Sequence, residues 1–351
     1  SFAVRVTSPV EERRAVRGLE AVAVGTPAFE RAVGEASLVC TAVGVGNVPA
    51  LAEPLAHALA RRPEDRLLDV WVVENGDCAG ALAQAVRERA HAPLSHVGFA
   101  GGVATAVVSN GCWTDGRPEF VGDAPRQLYL DARGLVAGLP LPRGVVASPH
   151  YEARLQEKLF VFNAAHAICA YLGWLRGHET IDEAVTDRAL RGMVVGCLLE
   201  SRRALAAAHP ELGSEVRAPT ADALRRFGDR ELADPVVRVA RDPIRKLGPG
   251  DRLLGPVQLV REATGSVPSY FALAVAGALL YREPGDAQAE ELGELLARNG
   301  VRAALERVCG LDADDRFARA VAARYRNFVI TPTETHFPPV HAPGGSVGAR
   351  V

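Results

Sequence analysis

Lysine is nearly absent from this chain. Of 40 basic residues only Lys158 and Lys246 are lysines; the others are arginines. Where composition has drifted so far toward arginine, a surviving lysine marks a place that arginine cannot fill. An ammonium gives up its proton when its surroundings lower its pKa, whereas a guanidinium does not. Both lysines are therefore candidates for chemistry. Excess charge of one sign is also lacking. The formal net charge of −2 offers no basic field to nucleic acid and no acidic tail. Paired cysteines are missing as well. Cys40, Cys78, Cys112, Cys169, Cys197 and Cys309 are scattered singly, without metal-finger or redox spacing, and read as reduced thiols in mostly apolar stretches. No apolar run reaches the length of a bilayer span, and no signal-peptide pattern is seen. Together these absences describe a cytoplasmic globular protein without nucleic-acid or membrane partners and without a metal-binding cysteine cluster.

What is present divides into two textures. The 351 residues leave room for about two domains. In the first part, the β-branched runs "FAVRV", "LEAVAVG", "SLVCTAVG" and "LLDVWVVEN" alternate with helical stretches such as "PAFERAVGEA", "PALAEPLAHALARR" and "CAGALAQAVRERA". This alternation predicts βαβ units on a parallel sheet. Shorter strand-like pieces up to "RQLYLDARG" read as added strands, possible antiparallel closures of the sheet. From Tyr151 to Phe328 the pattern is almost wholly helical. The expected organisation is an α/β, Rossmann-like dinucleotide-binding domain over 1–147, an all-α domain over 148–330, and a Pro/Gly-rich tail over 331–351 that lacks periodicity.

Gly44-Val45-Gly46-Asn47-Val48-Pro49 nearly spells a dinucleotide fingerprint. Such a fingerprint uses three glycines: one for the tight turn, one for close approach to the pyrophosphate, one for helix–strand packing. Pro49 stands at the third place, and Glu74 comes later than the usual acidic residue, about 20 positions on. The stretch is either a phosphate-binding turn or a tight strand-to-helix turn of another kind.

A second constellation lies in "KLFVFNAAH". Around an α-helix, Asn163 lies about 140° and His166 about 80° from Lys158, so the three share one half of the helix. An amine, an amide and an imidazole suit chemistry at a hydroxyl or carbonyl: a base for the alcohol proton, a donor for the developing alkoxide, a group that orients the substrate. Buried, internally satisfied Asn and His side chains are the alternative.

The spacing Lys-x4-Asn-x2-His at the start of a helical domain resembles the mannitol dehydrogenase family, the polyol-specific long-chain dehydrogenases. So do "KLFVFNAAHAICAYLGWLRGHETIDEAVTD", "RFGDRELADPVVRVARDPIRKLGPGDRL", "ELLARNGVRAALERVCGLD", "LVCTAVG" and "VVENGD". The resemblance covers nearly the whole chain. It implies an oxidoreductase that interconverts a polyol, or polyol phosphate, and the matching ketose with NAD and without a metal. Mannitol 1-phosphate and fructose 6-phosphate are the favoured pair. A hexuronate reductase, or a degenerate relative that only binds a sugar phosphate or a partner protein, are the alternatives. The resemblance makes Lys158 the general base, Asn163 a ligand of the reacting oxygen and His166 a substrate contact. Asn75 joins them, and Arg226, Arg241, Arg245 and Lys246 hold the phosphate by charge-assisted hydrogen bonds. Val43, Gly44, Glu74 and Asn75 line the cofactor cleft. The family's own glycine fingerprint belongs to a first strand that the resemblance places ahead of Ser1, so the first βαβ segment is expected to be missing. Two further positions depart from the family: its Asp-Arg pair after "VGF" is Thr105 and Ala106 here.

Overall fold

A computed structural model describes residues 1–330 apart from 7–11, 109–111, 115, 124–126, 137 and 218–219. The proposed tail over 331–351 lies outside the described residues. The chain forms two compact units, Ser1–Lys158 and the residues from Leu159 onward.

The first unit is built on two sheets. One has five strands in the order β3-β4-β5-β8-β9: β3 (Leu38–Thr41), β4 (Leu68–Val72), β5 (Val97–Ala104), β8 (Leu128–Asp131) and β9 (Val145–Ser148). β3, β4 and β5 run parallel, β8 is antiparallel to β5, and β9 is parallel to β8. The helices α1 (Pro27–Glu35), α2 (Ala52–Leu59) and α3 (Ala79–Ala90) contribute to its core. Their Val33, Leu55, Leu59, Leu82 and Val86 pack with Leu68, Val70 and Phe99 of the strands. Each residue of β4 is buried, as expected for a parallel strand covered on both faces. Its one charged member, Asp69, accepts from the Val136 N–H at 2.8 Å. Local chemistry sets the start of α1: the Thr26 side chain accepts from the Phe29 N–H, and Pro27 occupies the first turn, where a missing donor costs nothing.

The second sheet differs from expectation. "FAVRV" does form a strand, β1 (Phe2–Val6), but it pairs with β2 (Glu12–Val16) and β7 (Arg117–Gly122), and β6 (Cys112–Thr114) completes a separate four-stranded sheet. "LEAVAVG" forms no strand. Leu19, Val22 and Val24 stay exposed, so a β-branched run without a pairing edge remained irregular.

The helical unit begins within one long helix. α4 (Tyr151–Gln156) leads through a π-helical segment, Glu157–Asn163, into α5 (Ala164–Leu175). The sequence led us to expect no run of bilayer length, but by length and composition Tyr151–Leu175 is long and apolar enough to cross a membrane; its α5 residues pack in the core of the helical unit. α6 (Ile181–Thr186) and α7 (Arg188–Ala208) follow. The sequence pattern runs through both, and they part where Asp187 caps α7 by accepting from the N–H groups of Ala189 and Leu190. Then come α8 (Thr220–Phe227), α9 (Val236–Ala240), α10 (Pro243–Leu247), α11 (Leu254–Thr264) and α12 (Ser269–Leu280). α13 (Ala287–Arg307), broken at Gly300 where φ is 77°, and α14 (Arg316–Ile330) end the described chain. α12 is the centre of this unit, buried from Phe271 through Leu279.

Candidate active site

In the first unit the decisive residues follow β4. Parallel strands end together at their carboxyl edge, the edge where α/β sheets take their ligands. Glu74 and Asn75 stand just beyond that end of β4. The turn 41–47 stands beyond the end of β3 and leads into the short 3-10 helix Val45–Leu51. The Glu74 carboxylate is buried. Its Oε1 accepts from the Thr41 hydroxyl at 3.2 Å and the Val43 N–H at 2.8 Å, and its Oε2 accepts from the Gly44 N–H at 3.0 Å. Gly44 has φ 86°, a conformation that L side chains rarely adopt. Asn47 closes the turn by donating from Nδ2 to the Val43 carbonyl at 2.9 Å.

Asn75, the residue after Glu74, meets the lysine of the long helix. Its Oδ1 accepts from Nζ of Lys158 at 3.1 Å. With that oxygen engaged, the remaining capacity of the amide is as a donor. Lys158 is half-buried and lies in the π-helical segment. There, i→i+5 hydrogen bonding stacks residues five apart, so Asn163 is brought nearer to the azimuth of Lys158 than α-helical spacing predicts. A sequence laid on 100° steps could not show this.

In the helical unit, His166 belongs to a fixed network. Its Nε2 lies 3.3 Å from Oδ2 of Asp234, and its ring stacks on Phe227 at 4.9 Å with a 7° interplanar angle. Arg238 donates to both Asp234 oxygens at 2.6 Å. Burial lowers the His166 pKa, with Asp234 opposing. Burial works against the Asp234 carboxylate, but the bonds from His166 and Arg238 outweigh it and hold its pKa below the usual range. Arg226 is buried, with its guanidinium 4.1 Å over the Phe162 ring, and Phe162 packs 5.0 Å from Phe227. Arg226 and His166 thus flank one aromatic pair.

Arg241, Arg245 and Lys246 are gathered at the corner from α9 to α10. Arg241 faces Asp242 at 3.7 Å, and Arg245 faces Asp242 and Asp251 at 3.4 Å each. Lys246 is buried and donates from Nζ to the Arg241 carbonyl. Burial, with Arg252 and Arg245 adding repulsion, brings its pKa down to about 6. Thr105 donates its hydroxyl to the Gln127 carbonyl at 3.0 Å, and Ala106 is exposed. Among the described residues no group of three or more His, Cys, Asp or Glu side chains is arranged to hold a metal ion.

The sequence did not single out Asp234, Arg238 or Tyr151. The Asp-x3-Arg spacing in "ADPVVR" was the available signal for the first two. Tyr151 left no such signal, because the closeness of its hydroxyl to Gly101 is a fact of the fold.

The family profile of the mannitol dehydrogenase C-terminal domain matches residues 150–329. Mannitol-1-phosphate 5-dehydrogenase of Geobacillus thermodenitrificans (strain NG80-2) is 30% identical over 337 residues, which cover 93% of this chain and 87% of that protein. Among solved structures, the Pseudomonas fluorescens mannitol 2-dehydrogenase ternary complex with NAD and D-mannitol aligns with a TM-score of 0.74 at 17% identity, covering 93% of this chain and 80% of that one. D-sorbitol dehydrogenase in substrate-free form aligns with a TM-score of 0.68 at 16% identity, covering 96% and 83%. The two solved structures share the fold: a Rossmann-like unit followed by a helical one.

Proposed function

This chain belongs to the mannitol dehydrogenase family, and on that footing we propose that it is an NAD-dependent polyol dehydrogenase of the cytoplasm that interconverts mannitol 1-phosphate and fructose 6-phosphate. The observation that carries the chemistry is the 3.1 Å contact between Lys158 Nζ and Asn75 Oδ1. The residues beyond the parallel strands fit the nicotinamide side of the cofactor better than its phosphates. Val43 and Val45 are exposed there and offer apolar surface, while the N–H groups of Val43 and Gly44 are already held by Glu74. Val43, Gly44, Glu74 and Asn75 are thus assigned to the cofactor cleft. Bound NAD supplies the hydride acceptor.

Lys158 takes the proton of the reacting hydroxyl at Nζ, in its neutral form. Asn75 holds that amine in place through its carbonyl oxygen. Asn163, on the same helical run, donates its amide N–H to the oxygen as it gains charge. His166 contacts the sugar hydroxyls, with its ring fixed by Asp234 and Phe227. Arg241 and Arg245, the exposed cations of the corner from α9 to α10, hold the phosphate, whereas Arg226 and Lys246, both buried, take no direct part. The exposed pairs that Arg241 and Arg245 form with Asp242 and Asp251 are weak, so a phosphate displaces them at little cost.

The test is NADH consumption by the full-length protein with fructose 6-phosphate, run beside free fructose and a hexuronate. Fastest turnover is expected with fructose 6-phosphate. Faster turnover with a hexuronate reassigns the substrate, and none with all three defeats the enzyme assignment. Lys158→Ala and Lys158→Arg should each lose about 10²–10⁴-fold in kcat, since a guanidinium keeps the charge but cannot accept the proton. Retained activity in either removes Lys158 as the base.

A further inference from the structure

Glu74 has no direct task in that chemistry, yet it is the most heavily engaged side chain at the carboxyl end of the sheet. Two consecutive backbone N–H groups, from Val43 and Gly44, converge on its carboxylate together with the Thr41 hydroxyl. Consecutive N–H groups that point at one anion form a nest, the arrangement that binds phosphate elsewhere. Here the nest is filled by the chain's own carboxylate, delivered from the end of the neighbouring strand. The next residue, Asn75, carries the oxygen that receives Lys158.

We propose that Glu74 is a positioning residue: as the internal anion of the turn 41–44 it locks the end of β4 to the end of β3, and so holds Asn75 in register with Lys158. This rests on the assignment of Lys158 as the base. A carboxylate is costly to bury unless donors meet it, and three donors do so here. A glutamine in its place has one acceptor oxygen, and its amino group would face N–H donors across the other side of the nest. Glu74→Gln therefore loosens the turn without changing the size of the side chain. Glu74→Ala empties a site lined by three donors, which a small carboxylate such as formate matches in charge and shape. The contribution of Glu74 to the cofactor cleft is on this account indirect, made through the turn.

The experiment uses full-length Glu74→Ala and Glu74→Gln proteins. Both should lose up to about 100-fold in kcat, the scale set by an ångström of misplacement, while KM for the sugar phosphate stays within a few-fold. In ketose reduction the Lys158 ammonium returns the proton, so the alkaline limb of the kcat–pH profile, where that proton is lost, should move in both. Added formate should restore part of the rate of Glu74→Ala in a saturable manner. It should also raise that variant's thermal midpoint, a readout that needs no catalysis, and leave wild type and Glu74→Gln unchanged. Wild-type kcat and pH profile in both variants would overturn the proposal. So would formate that moves neither the rate nor the thermal midpoint of Glu74→Ala. If Glu74→Ala does not fold, the kcat and pH profile of Glu74→Gln decide. The Lys158 variants separately decide whether Lys158 is the base, so the two failures are told apart.

Discussion

At the scale of single residues, the shortage of lysine singled out a pair but gave them no environment. Lys158 is half-buried and bonded to an amide. Lys246 is buried against a backbone carbonyl. Nothing in "RDPIRKL" separates a phosphate ligand from a desolvated amine, because desolvation comes from whatever packs over the residue. The consequence is measurable. With its pKa down at about 6 in the folded protein against 10.5 for an ordinary lysine, Lys246 binds a proton in the unfolded chain that it lacks in the folded one across that window. Stability therefore rises with pH between these values. Urea midpoints at about pH 6.5 and about pH 9 should show a rise in the wild type that Lys246→Met loses. Equal slopes would mean that Lys246 stays charged in the fold. Arg226 teaches the same limit: the sequence placed it with the other cations, and the structure seats it over Phe162.

At the scale of elements, periodicity found the helices well and their ends less well. Alternation of β-branched runs and helical patterns located β3, β4 and the helices between them. It failed at "LEAVAVG", because a strand exists only where an edge is available to pair. It also missed the π-helical turn carrying Lys158, since a change in hydrogen-bond register leaves no mark on an apolar pattern. Helix ends depended on partners distant in sequence. α12 starts after Pro268, which offers no capping side chain. The N–H groups of Ser269, Tyr270 and Phe271 at its start act on Glu200 of α7 and pull its pKa down. Burial pushes Glu200 up to about 7, against the pull of those three donors. Between the ordinary value of 4.5 and about 7 the folded protein keeps a proton that the unfolded chain releases, so this group's contribution to stability falls as pH rises. Glu200→Gln, neutral throughout, should flatten that fall in thermal melts taken across the window. An unchanged slope would show that Glu200 is ionised at the helix end.

At the scale of the whole molecule, the change from alternating to purely helical texture near Tyr151 announced two kinds of architecture. Which strands belonged to the five-stranded sheet was not legible. β1 reads like any core strand, and its pairing with β7, more than a hundred residues away, is a fact of tertiary structure. The core of the helical unit was easier, because a segment such as "YFALAVAGALL" is apolar all round and has nowhere to go but inside. Burial of Lys246 in that unit has one more outcome, for the chemist and not for the fold. Acylating reagents need an amine they can reach. Of the two lysines between Ser1 and Val351, one is sealed under packed side chains, so within this stretch a lysine-directed probe has one address, Lys158. Limited treatment with an N-hydroxysuccinimide ester, followed by peptide mass spectrometry, should label Lys158 and leave Lys246 unmarked until the protein is denatured. The Lys158 amine is an attachment point for a fluorophore or cross-linker, one whose occupancy would report on the residue proposed as the base.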